Sequence, residues 1–66
     1  MPIVQISMLE GRKPEQIRNL VHDVAQTVSN SLQVPIDSIK VIVTEVPTTH
    51  WGSGGLTIAE KRSQNP

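Results

Sequence analysis

Hydrophobic positions along the chain begin as an alternation. From Ile3 to Leu9, Val4, Ile6 and Met8 fall at every second position, with Gln5 and Ser7 between them. A strand puts such a set on one face, and Ile3 and Leu9 give the opposite face apolar ends. Glu10-Gly11-Arg12-Lys13 breaks the pattern. Gly11 supplies the freedom to turn, and Pro14 suits the first turn of a helix. From Pro14 to about Leu32 the period changes. Ile17, Leu20, Val21, Val24, Ala25, Val28 and Leu32 recur at steps of three and four, forming one apolar stripe. Such a helix spans about 28 Å. Its many β-branched residues mean that packing holds it more than propensity does. His22 lies beside the stripe and reads as a rim residue.

Val34-Pro35 predicts the end of the helix, and Pro35-Ile36-Asp37-Ser38 a turn. A second β-branched run, Ile39 to Val46, then stops at Pro47. Strand, helix and strand in this order predict a βαβ unit with parallel strands and a right-handed crossover. The expected fold class is therefore α/β (α+β), in one domain over residues 1–66. In the second strand Ile39, Val41 and Val43 share a face. Ile42 and Val46 lie on the other with Lys40 and Thr44. One helix covers only one face of a two-stranded sheet, so the second apolar face calls for another copy of the chain. A monomer is expected to be unstable alone.

The segment Thr48 to Leu56 is rich in glycine and holds the single aromatic residue, Trp51. It reads either as a hairpin or as a disordered tail. Trp51 favours the hairpin, because a large ring in a small chain needs something to bury against. Thr57 to Arg62 predicts one short turn, and Ser63-Gln64-Asn65-Pro66 a frayed end.

Composition narrows the chemistry. A chain of 66 residues buries only about 60% of its unfolded surface and needs reinforcement. The absence of Cys removes disulfides and thiolate sites, and His22 and His50 are too few for a convincing zinc site. Oligomerisation remains. Six acidic and six basic residues balance to zero charge, unlike the basic patch that nucleic acid requires. No apolar run approaches the roughly 20 residues of a membrane span. No basic-then-apolar leader is visible at the N-terminus, so a cytoplasmic protein is expected.

No serine sits in an elbow motif, and neither histidine is flanked as in a triad. The most suggestive residue is Pro2. Within a chain its nitrogen is an amide without basicity, and its simplest reading is the start of an edge strand. After removal of Met1 it would be a secondary amine. A free α-amino group titrates near 7.7–8.0, proline somewhat higher, and burial or neighbouring cations lower that value. Such an amine can serve as a general base near neutral pH. Arg12 and Lys40 can grip carboxylates, one with a planar fork and the other as a point charge, although isolated cations are ordinarily solvated surface groups. Arg12 follows the end of the first strand and Lys40 begins the second. In a parallel pair these ends are remote, so a joint site would draw on neighbouring chains. Trp51 suits interface packing and also the wall of a pocket.

Pro2-Ile3-Val4-Gln5-Ile6, Leu9-Glu10-Gly11-Arg12, Val41-Ile42-Val43-Thr44-Glu45 and His50-Trp51-Gly52-Ser53-Gly54-Gly55 resemble the small 4-oxalocrotonate tautomerases of the tautomerase superfamily. The resemblance extends to about Lys61. It implies a β-α-β subunit in a homohexamer, a trimer of dimers, with a C-terminal hairpin reaching a neighbour. It also implies loss of Met1 and a cofactor-free reaction. Pro2 would move a proton between the hydroxyl oxygen and a distal carbon of a 2-hydroxydienoate or related enol acid. Arg12 would hold the distal carboxylate, Trp51 would keep the site apolar where the family commonly has Phe, and Leu9 and Ser53 would line it. Lys40 departs from the Arg of well-known members. It keeps the charge and loses the fork, which points to altered preference between dicarboxylates and simpler enols. Two other uses of the same residues remain open. In one, Pro2 acts as a nucleophile or in a hydratase- or dehalogenase-like water addition. In the other, an inactive assembly subunit retains Met1.

Overall fold

The computed structural model describes residues 1–64. Strand β1 (Ile3–Leu9) leads into helix α1 (Pro14–Leu32), a single 3₁₀ turn (Ile36–Ser38) and strand β2 (Lys40–Val46). A second 3₁₀ turn (Thr48–His50), the short strands β3 (Gly52–Ser53) and β4 (Leu56–Thr57), and helix α2 (Ile58–Gln64) follow.

β1 and β2 are parallel, in register from Ile3 opposite Lys40 to Leu9 opposite Val46. The alternation read from the sequence appears directly in the accessibility. Val4, Ile6 and Met8 are half-buried and Gln5 and Ser7 exposed, and Val41 and Val43 are half-buried beside an exposed Ile42. Gly11 makes the turn after β1 at φ +121°, a conformation that side-chain-bearing residues rarely adopt. Pro14 opens α1 as expected. The preceding Lys13 has no side-chain acceptor for the first turn. Instead the Lys13 N–H donates to Gln16 Oε1 at 3.0 Å, and the Gln16 N–H to the Lys13 carbonyl at 2.9 Å. Gln33 closes the helix in the left-handed region at φ 56°. The Ser29 hydroxyl fastens the exit by donating to the Val34 carbonyl at 2.7 Å. His22 is exposed, as befits a rim residue. Leu32 is exposed too, so the stripe that meets the sheet ends at Val28.

α1 packs chiefly on β2. Among the described residues only Ile39, just before β2, is a buried core apolar residue, at 8% accessibility. The other sheet face is open, with Ile3 61% and Ile42 47% exposed. The radius of gyration is 15.6 Å, against about 11 Å for a compact domain of this length. The chain measures 47 × 24 × 14 Å. Within the single chain much of the apolar surface of the sheet remains uncovered.

The C-terminal segment is a hairpin, turning at Gly54-Gly55 with Gly54 at φ 66°. It packs largely on itself, with α2 against the Thr48–His50 turn and β4. The expected short turn is a seven-residue helix that takes in Ser63 and Gln64 of the expected frayed end. Asn65 and Pro66, the rest of that predicted end, lie outside the described residues. The helix is longer than expected because its start is a capping box. Thr57 Oγ1 accepts from the Glu60 N–H at 3.1 Å, and Glu60 Oε1 accepts from the Thr57 N–H at 3.0 Å and its hydroxyl at 3.1 Å.

Those bonds, the Thr57 N–H first and its hydroxyl second, hold the Glu60 carboxyl below its ordinary value of 4.5. A carboxylate favoured in the folded state stabilises it fully above the unfolded value, and the contribution disappears as pH falls through the lower folded one. The Thr57 amide resonance should therefore titrate with a midpoint below 4.5, and Glu60→Gln should abolish that titration. A Thr57 amide that ignores pH in the native chain would remove Glu60 from the cap.

Candidate active site

The parallel register sorts the candidate residues by strand end. At the entrance to β1, the Lys40 N–H donates to the Pro2 carbonyl at 3.0 Å, extending the ladder by one bond. Pro2 is half-buried there and Met1 is 86% exposed. Side chains alternate along each strand, so Pro2 shares the helix-side face with Val4 and Ile6, and Lys40 the open face with Ile42. Pro2 and Lys40 are thus neighbours through the backbone, with side chains on opposite faces.

Leu9 and Arg12 belong to the far end. The Glu10 N–H donates to the Val46 carbonyl at 3.0 Å, closing the sheet there. Arg12, Pro14, Ile17, Val43 and Glu45 line a groove of about 370 Å³, within the range of small-ligand pockets. Its floor is apolar and its two charged walls are of opposite sign. Six residue steps along β1 separate the two ends by about 20 Å. Pro2 and the backbone of Arg12 thus lie beyond opposite ends of β1.

Trp51 and Ser53 belong to the C-terminal unit. Trp51 is half-buried, and its carbonyl accepts from the Ile58 N–H at 2.9 Å, which ties the start of the hairpin to α2. The Ser53 hydroxyl accepts from Lys61 Nζ at 3.1 Å. Within one chain the candidates therefore form three groups: Pro2 with Lys40, Leu9 with Arg12, and Trp51 with Ser53. The remoteness of Arg12 from Lys40 is as the sequence implied.

Glu45 was not singled out from the sequence, although the signal was present. Ile39, Val41 and Val43 make one apolar face, and the next residue of that parity is an acid at the strand's C-terminal end. In parallel sheets ligands gather at that end.

Comparison with known proteins agrees with this architecture. Residues 2–61 match the family model described as tautomerase enzyme. The chain is 49% identical over 55 residues to a 2-hydroxymuconate tautomerase of Stutzerimonas stutzeri, covering 83% of this chain and 87% of that one. It is 47% identical over 62 residues to a 2-hydroxymuconate tautomerase of Pseudomonas putida, covering 94% and 98%. Among solved structures, it superimposes on a 4-oxalocrotonate tautomerase isozyme of Methylibium petroleiphilum with a TM-score of 0.90 and 33% identity, covering 96% and 98% of the two chains. A heterohexameric 4-oxalocrotonate tautomerase of Chloroflexus aurantiacus gives 0.85 and 38%, covering 91% and 97%. The βαβ subunit, its self-packed C-terminal hairpin and these similarities lead to one conclusion: the chain belongs to the tautomerase family and is an isomerase.

Proposed function

We propose that this isomerase is a cofactor-free keto–enol tautomerase of 2-hydroxydienoates such as 2-hydroxymuconate, with Pro2, freed of Met1, as its base. The observation that carries the reading is the Lys40–Pro2 backbone hydrogen bond. It fixes the second residue at a strand entrance, while Met1 stands in solvent. A proline nitrogen in that position, once terminal, takes the proton of the 2-hydroxyl group. The electron pair moves along the diene as the ketone forms, and the same amine returns the proton to the distal carbon. Nothing is gained or lost overall, so no cofactor is needed. Arg12 holds the distal carboxylate and draws electron density toward the carbon being protonated. Lys40 faces the 2-oxygen and its adjacent carboxylate as a point charge. Trp51 keeps the site apolar, which favours the neutral amine. Leu9 and Ser53 line it.

With Pro2 and Arg12 at opposite ends of β1, this reading draws each site from different copies. The open face carrying Ile3 and Ile42 suits burial against a further copy. A homohexamer meets both needs and is the assembly we assign, in line with the hexameric relative of Chloroflexus.

The test is the ultraviolet decay of 2-hydroxymuconate with protein whose mass shows that it begins at Pro2. Fast ketonisation is expected, and a rate at background would refute the substrate assignment. Lys40→Ala should raise KM for this dicarboxylate about tenfold, the loss of one partly solvated charge contact of about 1.4 kcal/mol. Unchanged affinity and turnover would leave Lys40 without a role.

A further inference from the structure

We propose that Lys61 is a positioning residue of the site: by donating to the Ser53 hydroxyl oxygen, it turns the Ser53 hydroxyl hydrogen outward as a donor to a carboxylate of the substrate. The inference rests on the reading above in which Trp51 and Ser53 line that site.

Lys61 Nζ lies 3.1 Å from Ser53 Oγ. The two belong to one small unit with Trp51. The Ile58 N–H donates to the Trp51 carbonyl at 2.9 Å. Gly52 pairs with Thr57 and Ser53 with Leu56, and α2 packs on the Thr48–His50 turn and on β4. Trp51 is extended, at φ −110° and ψ 106°, and leads directly into β3, so residues 51 and 53 direct their side chains to one face. The Lys61 ammonium reaches that face from α2. Lys61 is half-buried and Ser53 exposed, so the lysine is partly enclosed while Ser53 stands open. Whichever site receives Trp51 receives Ser53 and Lys61 with it.

The consequence lies in the direction of the hydrogen bonds. A hydroxyl donates one hydrogen and accepts on its lone pairs, whereas an ammonium donates and accepts nothing. Beside Lys61, Ser53 Oγ is therefore an acceptor, and its own hydrogen goes to a different group. That group is an acceptor on the open side of the hairpin, and a substrate carboxylate supplies one. The ammonium polarises the hydroxyl, and hydrogen bonds in series strengthen one another. With Trp51 on the same face, the hairpin presents an apolar ring to the conjugated chain and a directed donor to its carboxylate. Such a mixture of apolar lining and a few placed polar groups is what holds small ligands. Lys40 lacks the planar fork of a guanidinium, and the Ser53 hydroxyl adds a directed donor for a dicarboxylate.

The experiment measures kcat and KM for 2-hydroxymuconate in the native protein, Lys61→Met, Lys61→Arg, Ser53→Ala and the double variant of Lys61→Met with Ser53→Ala. Mass confirms that each begins at Pro2, and sedimentation that each is assembled as the native protein is. Lys61→Met should raise KM about fivefold, the loss of one oriented hydrogen bond. Its kcat should stay within about twofold of native, because ground and transition states share that bond. Ser53→Ala should do the same. The double variant should lose no more than either single one, since both changes remove one contact. Lys61→Arg, which also donates and cannot accept, should keep the native KM. A native KM in Lys61→Met overturns the proposal, as do additive losses in the double variant. Equal losses in the Met and Arg variants mark a packing role and overturn it too. Should Lys61→Met fail to assemble, Ser53→Ala and Lys61→Arg decide: an unchanged KM in the first or a raised one in the second overturns the proposal. A native protein that does not ketonise 2-hydroxymuconate defeats the substrate reading, and this inference falls with it. Fast native ketonisation with unchanged KM in both Lys61→Met and Ser53→Ala defeats the Lys61 inference alone.

Discussion

Replacing Pro2 by alanine should lower kcat for ketonisation by about 10²- to 10⁴-fold, the range that a positioned base contributes. The loss should fall on kcat, because proton transfer belongs to the transition state and the carboxylate contacts of the ground state remain. The variant should fold and assemble normally. The contact that fixes residue 2 is its carbonyl, which accepts the Lys40 N–H, and alanine supplies the same carbonyl. Alanine also gives a terminal amine, a primary one, so a residual rate above background is expected. Protein that keeps Met1 should be inactive altogether, since its residue-2 nitrogen is an amide with no proton and no basicity. Intact mass distinguishes the two forms, and the fraction beginning at Pro2 should scale with activity across preparations. Full activity in protein that is uniformly Met1-terminated would exclude Pro2 as the base.

Much of the fold follows from pattern because the pattern is generated by local geometry. β1 was legible from two-residue alternation, and α1 begins at Pro14 and ends at Leu32 as its stripe predicted. Proline at the first turn and the glycine before it fix the start by restricting or freeing φ. Long-range effects are what the pattern misses. Leu32 fits the stripe by spacing, yet the sheet beneath α1 does not reach it, and it is exposed. α2 was underestimated because its apolar content is low, and the Thr57-x-x-Glu60 capping box that starts it is polar. The separation of Arg12 from Lys40 follows from the topology alone, since a parallel register puts the two strand ends far apart. Glu45 was harder. A charge at a strand end is ordinarily a solvated edge, and only the groove it lines with Arg12, Pro14 and Ile17 sets it apart. Which copies meet is a property of several chains, and no periodicity within one chain encodes it.

Ile42→Asp should break the assembly and abolish activity together, although Ile42 is none of the candidate site residues. In the isolated subunit this side chain is 47% exposed, and its partner across the register is Gln5. It and Ile3 supply apolar surface on a face that α1 does not cover. Fully burying an isoleucine contributes about 1.5–3 kcal/mol, and an aspartate in its place would be a desolvated charge without a partner. Both penalties recur in every copy of a symmetric assembly. Sedimentation of the variant should show small species at concentrations where the native protein is associated, with thermal unfolding shifted to lower temperature. Native unfolding should itself move to higher temperature as protein concentration rises, because association stabilises only the folded chain. Ile42→Val, which keeps the face apolar, should retain both assembly and activity. A fully assembled Ile42→Asp protein with the native melting temperature would show that this face is not what the copies bury. Loss of activity should follow loss of assembly because Pro2 and Arg12 stand at opposite ends of a strand about 20 Å long. On the proposed reading, a chain that folds but stands alone has every residue of the site and no site.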